Sequence, residues 1–241
     1  MQLTGRPSLV IFDKDGTLID FVTMWGTWAE AFIARVCNDV NAELFIPLHA
    51  LVGVDPVSKK IQSDGALAIA PEATTQRAIA TLLQQYGVAA EDSLALVQRL
   101  WQAPDPTTTA VPCADLKALF AWIRAQDCFI AVATADNRVP TQATLESLEI
   151  AHSVAAIACA DDPEIAPKPA PDKILVICQS LGIAPHAAIM VGDTPSDMLM
   201  GKAAGVMACV GVTTGVCEQQ ELATHADVVL HNVGELYGLW P

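Results

Sequence analysis

The stretch from Ser8 to Asp20, SLVIFDKDGTLID, constrains this chain more than any other. Leu9 to Phe12 is a short apolar run of strand formers closed by polar residues, the pattern of a buried strand. Asp13, Lys14, Asp15, Gly16 and Thr17 follow. Two carboxylates therefore sit two residues apart just past the strand's carboxyl end, and Gly16 lets the chain turn sharply there. In an open parallel α/β sheet, that edge is where ligands bind. A strand ending in a polar turn, with both aspartates facing water, fits this stretch equally well, so the rest of the chain decides.

Downstream of residue 112 the pattern alternates. Helices are expected over Ala114 to Ala125, Val139 to Leu148, Pro171 to Leu181 and Met198 to Ala204. Strands are expected over Phe129 to Ala133, Val154 to Cys159, Ala187 to Val191, Val206 to Val210 and Asp227 to Leu230. Such alternation implies right-handed crossovers and a parallel, Rossmann-like sheet with helices on both faces. Residues 21–111 break the rule. Phe21 to Val36, Glu72 to Tyr86 and Glu91 to Trp101 carry helical periodicity, Pro47, Pro56, Gly65 and Pro71 punctuate the intervening stretch, and Ala103 to Pro112 has the composition of a linker. The expected organisation is an α/β core of residues 1–20 and 112–241 with an inserted all-helical domain, 21–111. Trp25 and Trp28 fall on the apolar stripe of the first inserted helix and read as packing residues.

With 13 basic and 27 acidic residues, the net charge of −14 disfavours sequence-independent nucleic-acid binding. It leaves room for a small anionic substrate wherever a few cations or a metal ion reverse the local field. No apolar run approaches the roughly 20 residues that span a bilayer, and the opening MQLTGRPS lacks a signal-peptide core, so a cytoplasmic protein without a membrane partner is expected. Seven scattered cysteines without a CxxC pair read as buried thiols. Nothing in the sequence sets an oligomeric state.

Four polar clusters fall at or near strand carboxyl ends: Asp13 with Asp15, Thr134, Lys168, and Asp193 with Asp197. A parallel sheet puts those ends on one edge, where the clusters can converge. Convergent carboxylates repel one another, and Lys168 offers one compensating charge. A divalent, oxygen-seeking cation resolves the imbalance, and magnesium suits a few carboxylates, water and a substrate phosphate. Each residue also has a plainer role open to it: Thr134 capping a turn, Lys168 as a solvated loop lysine, and Asp197 at a favourable helix start. Lys14 is assigned no role and is expected to point away from Asp13.

Four ordered motifs, DKDGT from Asp13, the strand-ending Thr134, Lys168 in a KPxPD-like context, and GDxxxD from Gly192 to Asp197, carry a resemblance to the haloacid dehalogenase superfamily of hydrolases. Within it, the chain resembles the phosphoglycolate-phosphatase-like branch, and the insert resembles that branch's helical cap. The resemblance implies that Asp13 is the nucleophile, forming an aspartyl-phosphate, and that Asp15 is the general acid and then base. It implies that Thr134, Lys168 and the amides after Asp13 and Thr134, Ala135 among them, hold the phosphoryl oxygens. Magnesium is implied on Asp13, on the main-chain carbonyl of Asp15 and on Asp193, with Asp197 orienting its neighbours. Halide-displacing and phosphorus–carbon-cleaving members lack the second aspartate, so Asp15 argues for phosphate esters. The expected substrate is a small phosphorylated metabolite, phosphoglycolate first, chosen by the cap closing over the core, with Trp25 or Trp28 lining their interface. A β-phosphoglucomutase-like sugar phosphomutase is the enzymatic alternative. It needs a basic residue for a second phosphate, for which Arg35, Lys59, Lys60, Arg77 and Arg99 are candidates. The alternative of another class is a non-catalytic phospho-ligand-binding protein, whose mark would be loss of Asp13 or Asp15.

Overall fold

The structure, a computed structural model, describes every residue except 1, 2, 4, 63, 64, 71 and 241. The expected break at Pro71 lies outside the described residues. Six strands are formed: β1 (Leu9–Phe12), β2 (Phe129–Ala133), β3 (Ala156–Ala158), β4 (Ala188–Gly192), β5 (Ala208–Val212) and β6 (Val228–Leu230). The helices are α1 (Phe21–Asp39), α2 (Phe45–Val52), α3 (Ala66–Ile69), α4 (Glu72–Gln85), α5 (Ala90–Trp101), α6 (Pro106–Thr109), α7 (Leu116–Arg124), α8 (Arg138–Ser147), α9 (Asp172–Leu181), α10 (Pro195–Ala204) and α11 (Gln219–Ala223). The chain forms two compact units, residues 1–21 with 106–241, and residues 22–105.

In the first unit the strands make one parallel sheet in the order β3-β2-β1-β4-β5-β6. Alternate side chains leave opposite faces. Val10, Phe12, Ile130, Val132, Ile189 and Val191 pack with Leu119, Phe120 and Ile123 of α7. Leu9, Ile11, Ala131, Ala133, Ala188 and Met190 pack with Ile174 and Ile177 of α9 and Met200 of α10. Both faces are covered, which is why β1 carries four consecutive apolar residues, all fully buried.

The strand order reverses between β1 and β4. Connections from β1 run to one side of the sheet and those from β4 to the other, opening a crevice between the two carboxyl ends. Residues leaving β1 and β4, Asp13 and Asp193, are thereby neighbours. Backbone bonds tie the two strands beyond the motif as well, with the Asp13 amide donating to the Val191 carbonyl at 2.8 Å.

The second unit is helical. Trp28 is buried, stacked on Phe32 with centroids 5.1 Å apart, and edge-on to Trp101 at 4.5 Å. Its indole N–H lies 2.8 Å from the Trp101 carbonyl and 2.9 Å from that of Gln102, donating where α5 ends. Trp25 meets Trp28 edge-on at 5.2 Å. The tryptophan stripe thus packs α1 against the end of α5. Among the described residues, no helix is long and apolar enough to cross a membrane.

The difference from the expected elements is at their ends. β3 is shorter than 154–159 because it pairs only with Ala131, Val132 and Ala133. β5 begins two residues later than expected, because its register is set by Ile189 opposite Ala208. The expected linker contains α6, which opens on Pro106 at a position that suits a missing N–H.

Candidate active site

Asp13 leaves the buried end of β1 and is itself almost wholly buried. The chain then folds back on itself: the amides of Thr17, Leu18 and Ile19 all donate to the Lys14 carbonyl. Gly16 makes this turn with φ of +82°, a conformation that L side chains rarely adopt, and a Cβ there would overlap the Asp193 carboxylate. The turn brings Thr17 to Asp193, and the buried Thr17 hydroxyl donates to Asp193 Oδ1 at 3.1 Å.

Lys168 arrives from the long loop after β3. Its Nζ donates to Asp13 Oδ1 and to Asp197 Oδ1, each at 2.6 Å. Burial by itself lowers the Lys168 ammonium, but Asp13 and Asp197 more than offset this and hold it above its ordinary range. Asp197 sits at the third position of α10. Its Oδ2 accepts the Thr194 hydroxyl at 2.6 Å and the Thr194 amide at 3.1 Å, and the Thr194 hydroxyl in turn caps the helix. Both oxygens of Asp197 are therefore committed.

Asp13, Asp193 and Asp197 present oxygens within 4.8 Å of one another, all buried. Burial pushes the Asp13 carboxyl up to about 7, with Lys168 opposing and Asp197 and Asp15 reinforcing. Burial, followed by Asp13 and Asp197, also holds the Asp193 carboxyl far above the usual carboxylate range. Since Asp197 is spent on Lys168 and Thr194, Asp13 and Asp193 are the carboxylates of this trio with an oxygen left for a cation. Their hard oxygens, packed together and short of positive charge, fit a divalent cation.

Thr134 is buried just past β2, and its hydroxyl oxygen accepts the Asp136 amide at 3.0 Å. That turn is the plainer role open to it, yet its own O–H proton remains available to donate. Ala135 beside it is exposed. The structure brings Asp13, Lys168, Asp193 and Asp197 into one cluster, while Asp15 is turned to a different lysine.

That lysine is Lys14. It does avoid Asp13, but it is buried, with Nζ 2.8 Å from Asp15 Oδ1 and 3.1 Å from Asp136 Oδ2. The site therefore holds a second compensating charge besides Lys168. Even so, the five carboxylates of Asp13, Asp15, Asp136, Asp193 and Asp197 outnumber Lys14 and Lys168 by three. Sequence reasoning missed Asp136, whose one signal was its place two residues beyond Thr134. It also missed Gly215, where a Cβ would overlap Asp193, and Thr214, whose hydroxyl holds the Gly16 carbonyl at 2.6 Å. Nothing in the stretch VTTGV marks those two.

Of the basic residues considered for a second phosphate, Lys59 pairs with Glu30 at 2.6 Å and Arg99 with Asp39 at 3.4 Å. Arg35 Nε donates to the Leu100 carbonyl at 3.2 Å.

A doubly covered parallel sheet whose strand-reversal crevice gathers buried aspartates around a lysine defines a doubly wound α/β protein with an acidic, cation-ready centre. The chain belongs to the haloacid dehalogenase-like hydrolase family, whose model matches residues 7–205, and it is similar to relatives named as phosphatases. It is 32% identical over 232 residues to "Probable phosphatase IndB" of Dickeya dadantii, covering 95% of this chain and 92% of that protein. It is 30% identical over 213 residues to a phosphoglycolate phosphatase of Pseudomonas putida, covering 87% of this chain and 70% of the relative. Its fold matches that of a crystal structure described as a predicted phosphoglycolate phosphatase from Haemophilus somnus. The TM-score is 0.70 at 20% identity, over 97% of this chain and 98% of the other.

Proposed function

We propose that this chain is a magnesium-dependent phosphatase acting on a small phosphorylated metabolite, with 2-phosphoglycolate the leading substrate. The observation that carries the reading is Asp13, buried at the strand-reversal crevice, with Lys168 on one oxygen and Asp193 alongside. In this reading residues 1–20 and 112–241 are the catalytic core and 21–111 the cap that selects the leaving group. The substrate's name rests on relatives such as the Pseudomonas putida phosphoglycolate phosphatase.

Asp13 attacks phosphorus through a carboxylate oxygen, giving an aspartyl-phosphate. Lys168 holds the nucleophile in place and balances the negative charge gathering on the phosphoryl oxygens. Thr134 and the amide of Ala135 hold those oxygens. Asp15 gives a proton to the departing oxygen and takes one from the water that later releases phosphate. Asp197 fixes Lys168. Magnesium would be held by Asp13, Asp193 and the main-chain carbonyl of Asp15, and when bound it supplies further charge stabilisation for the phosphoryl group.

The test is a screen of small phosphate esters and p-nitrophenyl phosphate with and without magnesium. Magnesium-dependent turnover that is abolished in Asp13→Asn supports the reading. Turnover indifferent to both changes, or none with any ester, overturns it. Conversion of glucose 1-phosphate to glucose 6-phosphate would assign the site to a mutase instead.

A further inference from the structure

Lys14 has a property that its place in the sequence does not suggest. Its side chain is only 3% exposed, although it stands between two residues of the polar turn. A buried ammonium is costly unless paired. The pairing here is with two carboxylates from different strands' ends: Asp15, following β1, and Asp136, following β2. Burial works to lower the Lys14 ammonium, but Asp15 and Asp136 outweigh it and keep the group charged.

Asp136 is itself fixed. Its Oδ1 accepts the Asn137 amide at 2.7 Å, and its own amide donates to the Thr134 hydroxyl at 3.0 Å. A continuous set of bonds thus runs from Thr134 through Asp136 and Lys14 to Asp15 Oδ1. The pair with Lys14 engages Oδ1 of Asp15 and so fixes the orientation of the carboxyl group.

We propose that Lys14 is the positioning residue for Asp15, with Asp136 as its anchor, so that Lys14 governs proton delivery to the leaving group. This rests on the phosphatase reading above. In the step concerned, the bond from an Asp13 oxygen to phosphorus forms as the bond from phosphorus to the leaving oxygen breaks. The proton on Asp15 passes to that oxygen, which departs as an alcohol. A carboxyl group that swings through even small displacements loses much of its effect on such a step. An anchored oxygen removes that freedom.

The inference predicts a dependence on the leaving group, which a purely structural lysine lacks. An alkyl ester such as 2-phosphoglycolate or glycerol phosphate needs protonation of its leaving oxygen, whereas p-nitrophenolate leaves readily without it. The experiment measures kcat/KM for wild type, Lys14→Met, Lys14→Arg and Asp136→Asn on p-nitrophenyl phosphate, phenyl phosphate and alkyl phosphates. Lys14→Met is expected to lose about 100-fold on the alkyl esters and less than about tenfold on p-nitrophenyl phosphate. Lys14→Arg is expected to recover part of the alkyl-ester loss, and Asp136→Asn to show the same bias in weaker form. Thermal melts identify a variant that does not fold. Should Lys14→Met fail to fold, Asp136→Asn, which keeps the Lys14–Asp15 pair, supplies the same readout. Equal losses across the ester series, or none, overturn the inference. Wild type turning over p-nitrophenyl phosphate while the variants show no bias sinks this inference alone. A wild type inactive on every ester removes the phosphatase reading and the inference with it.

Discussion

Thr194 and Asp197 hold one another at the start of α10: the Thr194 hydroxyl lies 2.6 Å from Asp197 Oδ2, and the Asp197 amide returns a bond to the same hydroxyl at 3.3 Å. The other Asp197 oxygen holds Lys168. A helix cap and the placement of the lysine against Asp13 are therefore one device.

Thr194→Ala is expected to cost about 1 kcal/mol of stability, the usual worth of such a cap. It is also expected to lower kcat by about tenfold, because Asp197 Oδ2 then keeps only the backbone amide of residue 194 and is held less firmly. Thr194→Ser, which keeps the hydroxyl, should restore both. Chemical denaturation with turnover measured on the same samples checks this. A cap variant with normal kcat would show that the cap and the lysine are independent.

The second prediction concerns pH and metal. Burial holds the Asp13 carboxyl up to about 7, against an ordinary value of 3.8 that the unfolded chain keeps. Between those values the folded state binds a proton that the unfolded state has released. The stability contributed by this group is complete below 3.8 and is lost as pH rises through about 7. Melts in a chelator should therefore show the stability of wild type relative to Asp13→Asn falling as pH rises through about 7. A cation needs the ionised form, so magnesium binding should release protons. Its stabilising effect should grow with pH up to about 7 and then level off, as melts with and without magnesium would show.

Gly215 allows the backbone to lie against Asp193 where a Cβ would collide with the carboxylate. Gly215→Ala should displace Asp193 and raise the magnesium concentration needed for half-maximal activity by about tenfold or more. At saturating magnesium, kcat should recover in large part. Titration of activity against magnesium decides, and an unchanged half-saturation point would show that Asp193 holds no cation.

Trp28 bonds through its indole N–H to two carbonyls at the end of α5. Trp28→Phe keeps a ring for Phe32 and Trp101 but leaves those carbonyls without this donor, at a cost of about 1 kcal/mol. Trp28→Ala should cost about 3–5 kcal/mol as a large buried ring is lost. Urea unfolding measures both. Equal effects of the two substitutions would mean that the ring packing contributes little.

Much of the framework was legible because both faces of the sheet are covered. Leu9 to Phe12, Phe129 to Ala133 and the strand ending at Gly192 read as apolar runs closed by polar residues, and covered faces demand that pattern. β5 slipped by two residues because the apolar run from Val206 to Val212 is uniform, and only pairing with β4 selects its register. Asp13 and Asp193 stood out because charged residues at strand ends are conspicuous against such runs, whereas Lys168 and Asp197 stood out through the ordered motifs they belong to. Lys14 did not, since its pairing with Asp136 depends on β1 and β2 lying side by side, which no local pattern shows.

The sequence by itself determined the alternation of strands and helices, the insertion of a helical stretch, and the order of the aspartates and lysine along the chain. These are local properties, written in periodicity and in residues at element ends. Only the tertiary structure decided which partner each charge received: Lys168 between Asp13 and Asp197, and Lys14 between Asp15 and Asp136. Apart from Lys14 with its chain neighbour Asp15, those pairs join residues that follow different strands, and the strand order that makes the strands neighbours is set by packing two faces of one sheet. Burial then fixes the pairings, because an unpaired charge in that crevice costs more than the chain can spare.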